Sequence, residues 1–575
     1  MIKKILLIAA TIALIIAVVY KTLEFKRSVS IDLMQATPLQ EIVATYNTGS
    51  NSIVKSNDSI LYQTINWVNN SVKSLPEEQI KSLINKKLPL FINLQIWPKG
   101  VIAAFDNNIA GVIISGYYDE KLISFFNLLG KSANTVYIRY NAEMELPSNQ
   151  YPWQAKSFNE YILSYRHLYV LCKKYAPAAK MVWGPNGYSG AEEYWPGEEF
   201  ADLVSVNLSM QLPFKKCPYP IESTIEEMMR HKFFRMRFMN KPVLFLSSAS
   251  VNRHNIASAL LDSLNKKIAA DLPIYRTPIV PTEHDSAATK QPGMPYLQLG
   301  VYDPLLLLTG QPIITTEHIF TDMISVLNGF FKMNFDSVIS RQHNVIVTIE
   351  PWKDGKREKD PAILTNTLNG TYDMVWSKLY EIISDAPQTV YLRWGHEMEI
   401  PIDRYAWQSK DPVAYIKAFR YFATFKKPKA NNIKIVWGPA GDRGCMDYYP
   451  GNDVVDFVSF AIYGLPNKNI NDHTRQQKFS TIFQYKLHRM RFAHHPIFIT
   501  EFGVKGPESF QKQWLEEATS IINKHPEIYG LSYFNYADTP KAWGDAVTPD
   551  WSITDSTFKS FIQKINNLPK KQNDE

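Results

Sequence analysis

Thr389-Val390-Tyr391-Leu392-Arg393-Trp394-Gly395-His396-Glu397-Met398-Glu399-Ile400-Pro401 decides the reading of this chain. A β-prone run, Thr389 to Leu392, ends in a cluster of charged and aromatic groups. About a hundred residues on, Pro496-Ile497-Phe498-Ile499-Thr500 is a second apolar run, and it ends in Glu501-Phe502-Gly503. Two carboxylates, each closing a short strand, fit the mouth of a (β/α)8 barrel, where strand ends supply the reactive groups. A pair of carboxyl groups is also what cleavage of a glycosidic bond requires.

An earlier stretch repeats the first. Thr135-Val136-Tyr137-Ile138-Arg139-Tyr140-Asn141-Ala142-Glu143-Met144-Glu145 returns as Thr389 to Glu399, an offset of 254 residues, with seven of eleven positions identical. The same offset carries Tyr151-Pro152-Trp153-Gln154 onto Tyr405-Ala406-Trp407-Gln408, and Val182-Trp183-Gly184-Pro185 onto Val436-Trp437-Gly438-Pro439. Arg235-Met236-Arg237-Phe238 falls on Arg489-Met490-Arg491-Phe492 in the same way. A fixed offset through many motifs is the mark of an internal repeat. A unit of about 250 residues is the usual size of an eight-fold β/α barrel. The expected fold class is therefore α/β, two tandem (β/α)8 TIM-type barrels after an N-terminal transmembrane helix. The expected segments are 1–27 (signal anchor or signal peptide), 28–290 (a degenerate barrel plus connector), 291–567 (a catalytic barrel) and 568–575 (a polar tail).

Composition narrows the function. The 575 residues are 45% hydrophobic and 20% charged, as in a packed globular protein. Aromatics reach 13%, including 13 Trp and 31 Tyr, and flat rings serve both cores and sugar clefts. A net charge of +7 without a repeated basic patch argues against nucleic acid as a partner. Cys172, Cys217 and Cys445 are too scattered for a metal knuckle, no His and carboxylate spacing resembles a zinc site, and no cofactor is expected.

The N-terminus reads as a targeting segment. Lys3 and Lys4 precede an uncharged run from Ile5 to Tyr20, and Lys21, Lys26 and Arg27 follow. The run lacks a small-residue cleavage pattern, so an uncleaved signal anchor is expected, with the barrels outside the inner membrane at the cell envelope. A cleaved signal peptide, giving a secreted or periplasmic protein, is the alternative.

In the second unit the carboxylates fall into ranks. Glu397 lies beside His396, near Arg393 and just after Trp394, and aromatic packing would raise its pKa and keep it protonated as an acid. Glu501 would stay ionised with Arg393 and the Tyr463 hydroxyl as donors. Glu399 and Glu350 compete with them. Trp352 and Trp407, each just past a strand, are candidates to stack on sugars, with a core role the alternative; Trp437 is a further ring of the same kind. Asp442, Asp538 and Tyr533 complete the assisting set. Asp303-Pro304 reads as a helix start. Short apolar runs at Gly111 to Ile114 and at Ile363-Leu364 read as strands.

These motifs resemble glycoside hydrolase family 26. His396-Glu397-Met398 is similar to the family's His-Glu pair after the fourth strand, and Thr500-Glu501-Phe502-Gly503 to its nucleophile context at the seventh. The resemblance implies a retaining (β/α)8 glycosidase of the β-mannanase or β-glucanase type. By it, Glu397 is acid/base, Glu501 is nucleophile, Tyr463 bonds the nucleophile, and Trp543 floors the subsite at the point of cleavage. Glu399-Ile400-Pro401 departs from the Asn and Trp string that family mannanases carry next.

The first unit lacks this chemistry. Ala142 replaces His396, Ser247 replaces Glu501 and Ser209 replaces Tyr463. Arg139, Glu143, Trp153 and Trp183 remain, either as a glycan site or as fold interior. The whole chain then reads as a membrane-anchored retaining endo-β-glycanase, trimming an exopolysaccharide in company with a polysaccharide synthase or export proteins. The alternative is a non-catalytic glycan-binding or assembly subunit of such a system.

Overall fold

The structure is a computed structural model. It describes residues 29–34, 41–56, 59–69, 77–96, 109–147, 151–209, 224–247, 251, 253–275, 297–353, 358–402, 404–425, 430–464, 477–538 and 548–566. These form two compact units, the first up to Tyr275 and the second from Leu297 onward.

The first unit is an open nine-stranded sheet, which corrects the expectation of two tandem barrels. Its strands are β1 (Val29–Met34), β2 (Ile42–Asn47), β3 (Ser52–Lys55), β4 (Leu61–Asn69), β5 (Leu90–Ile96), β6 (Val136–Tyr140), β7 (Lys180–Trp183), β8 (Leu203–Asn207) and β9 (Val243–Leu246). The order is β1-β4-β5-β6-β7-β8-β9-β2-β3. From β4 to β9 neighbours run parallel, but β1 joins β4, and β2 joins β9, antiparallel. Among the described residues the edges β1 and β3 do not pair, and the sheet is open there.

The reason lies in what the repeat omits. The six parallel strands correspond to barrel strands two to seven, and among the described residues no strand follows β9 in this unit to serve as the eighth. An N-terminal hairpin takes that edge instead, turning through Gly49 and through Asn51 at φ +51°. Its outer strand is blunted by Asn265, whose carboxamide exchanges two hydrogen bonds with the Ile53 backbone (2.8 and 2.9 Å). Gly111 to Ile114 is helical, within Ile109–Ile114, rather than a strand. A short apolar run gives no periodicity to tell the two apart.

The second unit closes. Its strands are β10 (Gln298–Tyr302), β11 (Thr316–Asp322), β12 (Asn344–Glu350), β13 (Val390–Trp394), β14 (Ile433–Trp437), β15 (Phe457–Val458), β16 (Ala461–Tyr463), β17 (Ile497–Gly503) and β18 (Ile528–Phe534). All their pairings are parallel; β10 joins β18, and Val458 on β15 meets Ile497 on β17. The sixth strand is broken between β15 and β16, and both pieces lie against β17. The ring is a (β/α)8 barrel. Its interior floor is a layer of Ile346, Tyr391, Val436, Phe457, Phe498 and Tyr529, in which the Tyr391 and Tyr529 hydroxyls bond at 2.6 Å.

Local rules place the covering helices. Pro412–Thr424 begins with Pro at its first turn and Asp411 accepting from Val413 N at 2.8 Å, and its apolar stripe of Tyr415, Ile416, Phe419 and Phe422 is buried. Ile363-Leu364 starts a helix, Ile363–Leu368, and is not a strand. The second barrel strand is instead β11, whose Thr-Glu-His-Ile-Phe-Thr-Asp hides its strand character behind polar residues. Asp303 does not start a helix: its Oδ2 accepts from Leu308 N, Thr309 N and Thr309 Oγ1, tying down the loop after β10.

The membrane expectation is corrected as well. Among the described residues no helix is long and apolar enough to cross a membrane. Residues 1–27, the expected anchor, lie outside the described residues. The inner-membrane localisation, the membrane partner and the anchored arrangement therefore have no support in the structure.

Candidate active site

The site is assembled from the C-terminal ends of the second unit's strands. Glu501 lies within β17 opposite Ala461. The β17–β18 register slips between Ile499 and Phe502, placing Glu501 at a bulge. A bulge bends a strand and re-aims its side chains, and bulges recur beside active sites. Arg393, fully buried on β13, donates from Nη1 to Glu501 Oε1 and, at 3.4 Å, to Thr348 Oγ1. Tyr463 at the end of β16 donates its hydroxyl to Glu501 Oε2 at 3.1 Å.

Glu397 follows β13 on a loop fixed at every step. Gly395 and Glu397 both take φ +53°. Glu397 N donates to Gly438 O at 3.0 Å, at the end of β14. Trp407 Nε1 donates to His396 O at 2.7 Å, and Gln408 Nε2 to Glu397 O at 3.0 Å. A left-handed non-glycine residue costs free energy and persists only where its surroundings impose it. The same clamp exists in the first unit: Glu143 has φ +60°, Glu143 N bonds Gly184 O at 2.8 Å, and Trp153 Nε1 bonds Ala142 O at 2.8 Å. The repeated Tyr-x-Trp-Gln motif is thus a loop clamp in both units. Trp407 is fully buried and Trp153 nearly so, which removes both from the set of exposed sugar-stacking rings.

The two carboxyl groups are driven apart electrically. Burial, and then the Glu501 charge, push the Glu397 carboxyl up to about 7. Burial would raise Glu501 too, but the charge of the Arg393 guanidinium bonded to it brings it down to about 2. At neutral pH one group is poised to hold a proton and the other is ionised. Burial and the Arg393 charge hold His396 well below the usual histidine range. Its ring is neutral, with Nε2 3.9 Å from Glu350 Oε1.

The remaining candidates divide. Trp352 is buried, donates to Glu350 Oε2 at 2.9 Å and meets Trp407 edge-on. Trp437 and Tyr533 are fully buried, and Tyr533 donates to Trp551 O at 2.7 Å; neither offers a face to a ligand. Asp442 is exposed on the β14–β15 loop, 3.8 Å from Lys486. Asp538 is half-buried, with its charge felt at Tyr463 and Arg404. Trp543 lies outside the described residues. Glu399 accepts from Gly441 N and Asp442 N at 2.8 and 2.9 Å. Its counterpart Glu145 accepts from Gly187 N and Tyr188 N, so this carboxylate is a shared anchor of the fold rather than a rival to Glu397.

Two site residues escaped the sequence reading. His318 on β11 is buried, bonds Thr348 Oγ1 at 2.7 Å and stacks on Phe320 at 4.3 Å. Burial pushes it down to about 3. Its signal was the period-two alternation of His318, Phe320 and Asp322. Arg404 lies over the Tyr405 ring at 4.8 Å, and its charge reaches Glu397. Nothing in its own sequence neighbourhood marks it.

In the first unit the equivalent ground is rebuilt. Ser247 Oγ accepts from Glu41 N, and Ser247 N donates to Glu41 O, both at 2.8 Å, so β2's lead-in occupies the hydroxyl. Trp183 is fully buried, with Nε1 on Tyr194 O. Among the described residues no cluster suited to a metal ion occurs.

No protein-family model matches the chain. A stretch of 198 residues is 23% identical to beta-1,3-xylanase TXYA of Vibrio sp, covering 31% of this chain and 42% of that protein. A beta-1,3-xylanase of Alcaligenes sp is 21% identical over 200 residues, 31% of this chain and 41% of that protein. The chain thus spans less than half the length of these relatives. Among solved structures, a Ruminococcus flavefaciens GH5-4 broad specificity endoglucanase is 14% identical with a TM-score of 0.36, covering 47% of this chain and 94% of its own. A Cellulomonas fimi endo-beta-1,4-mannanase double mutant is 14% identical with a TM-score of 0.33, covering 42% and 66%. The second unit is a closed (β/α)8 barrel.

Proposed function

We propose that the second unit is a retaining glycoside hydrolase acting on a β-linked polysaccharide, with Glu397 as acid/base and Glu501 as nucleophile. The opposite bias of the two buried carboxyls carries this reading: the group that must donate a proton is raised to about 7, and the group that must attack is lowered to about 2. In the first step Glu501 bonds to the anomeric carbon while the glycosidic oxygen leaves with the Glu397 proton. In the second, Glu397 takes a proton from water as its oxygen attacks the same carbon and Glu501 departs. Two inversions retain the configuration. Arg393 and Tyr463 hold the Glu501 carboxylate by both oxygens, and neutral His396 packs beside the acid without competing for its proton.

The backbone polymer is a β-1,3-xylan, β-mannan or β-glucan. The named relatives support the first, and the order of motifs supports the general class. The test is proton NMR of the first product released from such a panel. The β-anomer should appear first. An α-anomer appearing first would reverse the assignment of roles.

A further inference from the structure

We infer that the first unit carries a non-hydrolytic binding site for a neutral saccharide, built from Glu143, Asn93 and Asn207 at the C-terminal ends of its parallel strands. This goes beyond catalysis in the second unit and does not depend on it.

The strand registers show what became of the ancestral layout. Phe91 pairs with Tyr137 as Ile346 pairs with Tyr391, and Tyr62 pairs with Phe91 as His318 pairs with Ile346. Asn93 therefore takes the step of Thr348, Gln95 that of Glu350 and Tyr62 that of His318, and the 254-residue offset puts Asn207 at the position of Ala461. Every change replaces a catalytic-site group with a neutral hydrogen-bonding one or adds a carboxamide. A decaying scaffold would fill such positions with apolar residues, because buried polar groups cost free energy unless satisfied. Here Asn93 and Asn207 are 8% and 6% exposed, and their Oδ1 atoms lack a hydrogen-bond partner among the described residues. A buried acceptor left in this state is destabilising. A ligand hydroxyl would satisfy it.

Glu143 is positioned for the same purpose. Its Oε1 accepts from Asn186 Nδ2 at 3.2 Å and from Asn207 Nδ2. Both asparagines are held in turn by Lys232, itself 4% exposed, whose Nζ donates to Asn186 O (2.9 Å), Asn186 Oδ1 (2.8 Å) and Asn207 O (2.5 Å). Those bonds use all three ammonium donors. The lysine charge is thereby spent inside the protein, while the Glu143 carboxylate remains half-buried. The Arg139 and Glu143 charges are both felt at Tyr62, so the site carries one charge of each sign, and a neutral ring offers the carboxylate hydroxyl donors without bringing a charge of its own. Carboxamides with both a donor and an acceptor suit vicinal hydroxyls equally well. Ser247, at the position of Glu501, has no carboxylate to attack an anomeric carbon, and its hydroxyl and amide are bonded to Glu41.

The test is calorimetry on the full chain carrying Glu501→Gln, titrated with linear hexaoses of β-1,3-xylose, β-1,4-mannose, β-1,3-glucose and β-1,4-glucose. Two sites per chain are expected with at least one probe. Adding Glu143→Gln, which keeps shape and removes the charge, should weaken one of them at least tenfold without shifting the other. Asn93→Ala is the second variant, with the same expectation. Two sites that neither variant affects, one site that neither affects, or no binding by any probe would each overturn the proposal. One site per chain, lost with Glu143→Gln, would uphold this site while removing the catalytic reading of the second unit.

Discussion

Arg393 on β13 donates to Glu501 on β17, and the bond exists because residue 438 has no side chain. A Cβ on Gly438 would lie 2.2 Å from Arg393 Nε and 2.9 Å from its Cδ. The guanidinium passes through the space that glycine leaves, and the carboxylate it meets is held ionised in a buried setting. Gly438→Ala should therefore act through Arg393. Overpacking of this kind costs about 1–3 kcal/mol of stability. Activity should fall by about 100-fold, in keeping with the sensitivity of bound geometry to displacements of about 1 Å. Gly184→Ala is the matched control: its Cβ would also lie 2.2 Å from a guanidinium, that of Arg139. It should cost similar stability in thermal melts and leave turnover unchanged. Equal loss of turnover in both would detach catalysis from the Arg393–Glu501 bond.

The pH dependence of kcat/KM should be broad and asymmetric. Glu397 must be protonated to donate, so activity should fall as pH rises through about 7. Glu501 must be ionised to attack, so the acid limb should lie near 2, below the pH at which most proteins unfold. The two groups interact, so the limbs belong to the pair. In practice only the alkaline limb should be seen above pH 4. Glu397→Gln should remove that limb together with most activity. A limb that survives the substitution would assign it to another group.

How far the sequence carried this reading can be seen at particular residues. The strand-end places of Arg393 and Glu501 were legible because each closes an apolar run, and Glu397 lies on the loop just past one; strand ends are where barrels place chemistry. The repeat was legible too, and it misled. Motifs shared by the two units, such as Trp153 with Trp407 and Glu145 with Glu399, are loop clamps and anchors that the open sheet needs as much as the closed one. Closure depends on the strands the repeat does not share, β10 and β18, and a copied motif says nothing about those. His318 was missed because β11 presents polar residues at most of its positions, and strand detection by apolar runs passes over it.

Tyr463→Phe separates positioning from ionisation. The hydroxyl donates to Glu501 Oε2 at 3.1 Å, while Arg393 holds the other oxygen. A hydrogen bond to a charged group contributes about 1.5–3 kcal/mol. If that stabilisation is realised in the transition state, kcat should fall by roughly 10- to 150-fold. The ring would keep its packing on Trp551, 4.5 Å between centroids, so melting temperature should hardly move. Steady-state kinetics with an activated aryl glycoside checks this. A change confined to KM would mean that the hydroxyl contacts substrate rather than the nucleophile.

The acid/base residue should also reduce the stability of the fold at alkaline pH. Burial raises the folded-state pKa of Glu397 to about 7, above the roughly 4.3 of an unperturbed glutamate. Between those values the folded protein binds more protons than the unfolded chain. Stability must then fall as pH rises through that window and level off above about 7. Glu397→Gln cannot ionise, so it should flatten this slope and melt higher than the wild type at pH 8, while differing little at pH 4. Part of the slope should remain, because burial and the Asp442 charge also raise Glu399 to about 7. Thermal melts of wild type and Glu397→Gln across pH 4–8 measure the difference directly. If the two curves run parallel across that range, Glu397 is not a raised acid in the folded protein, and its role as proton donor at neutral pH loses its physical basis.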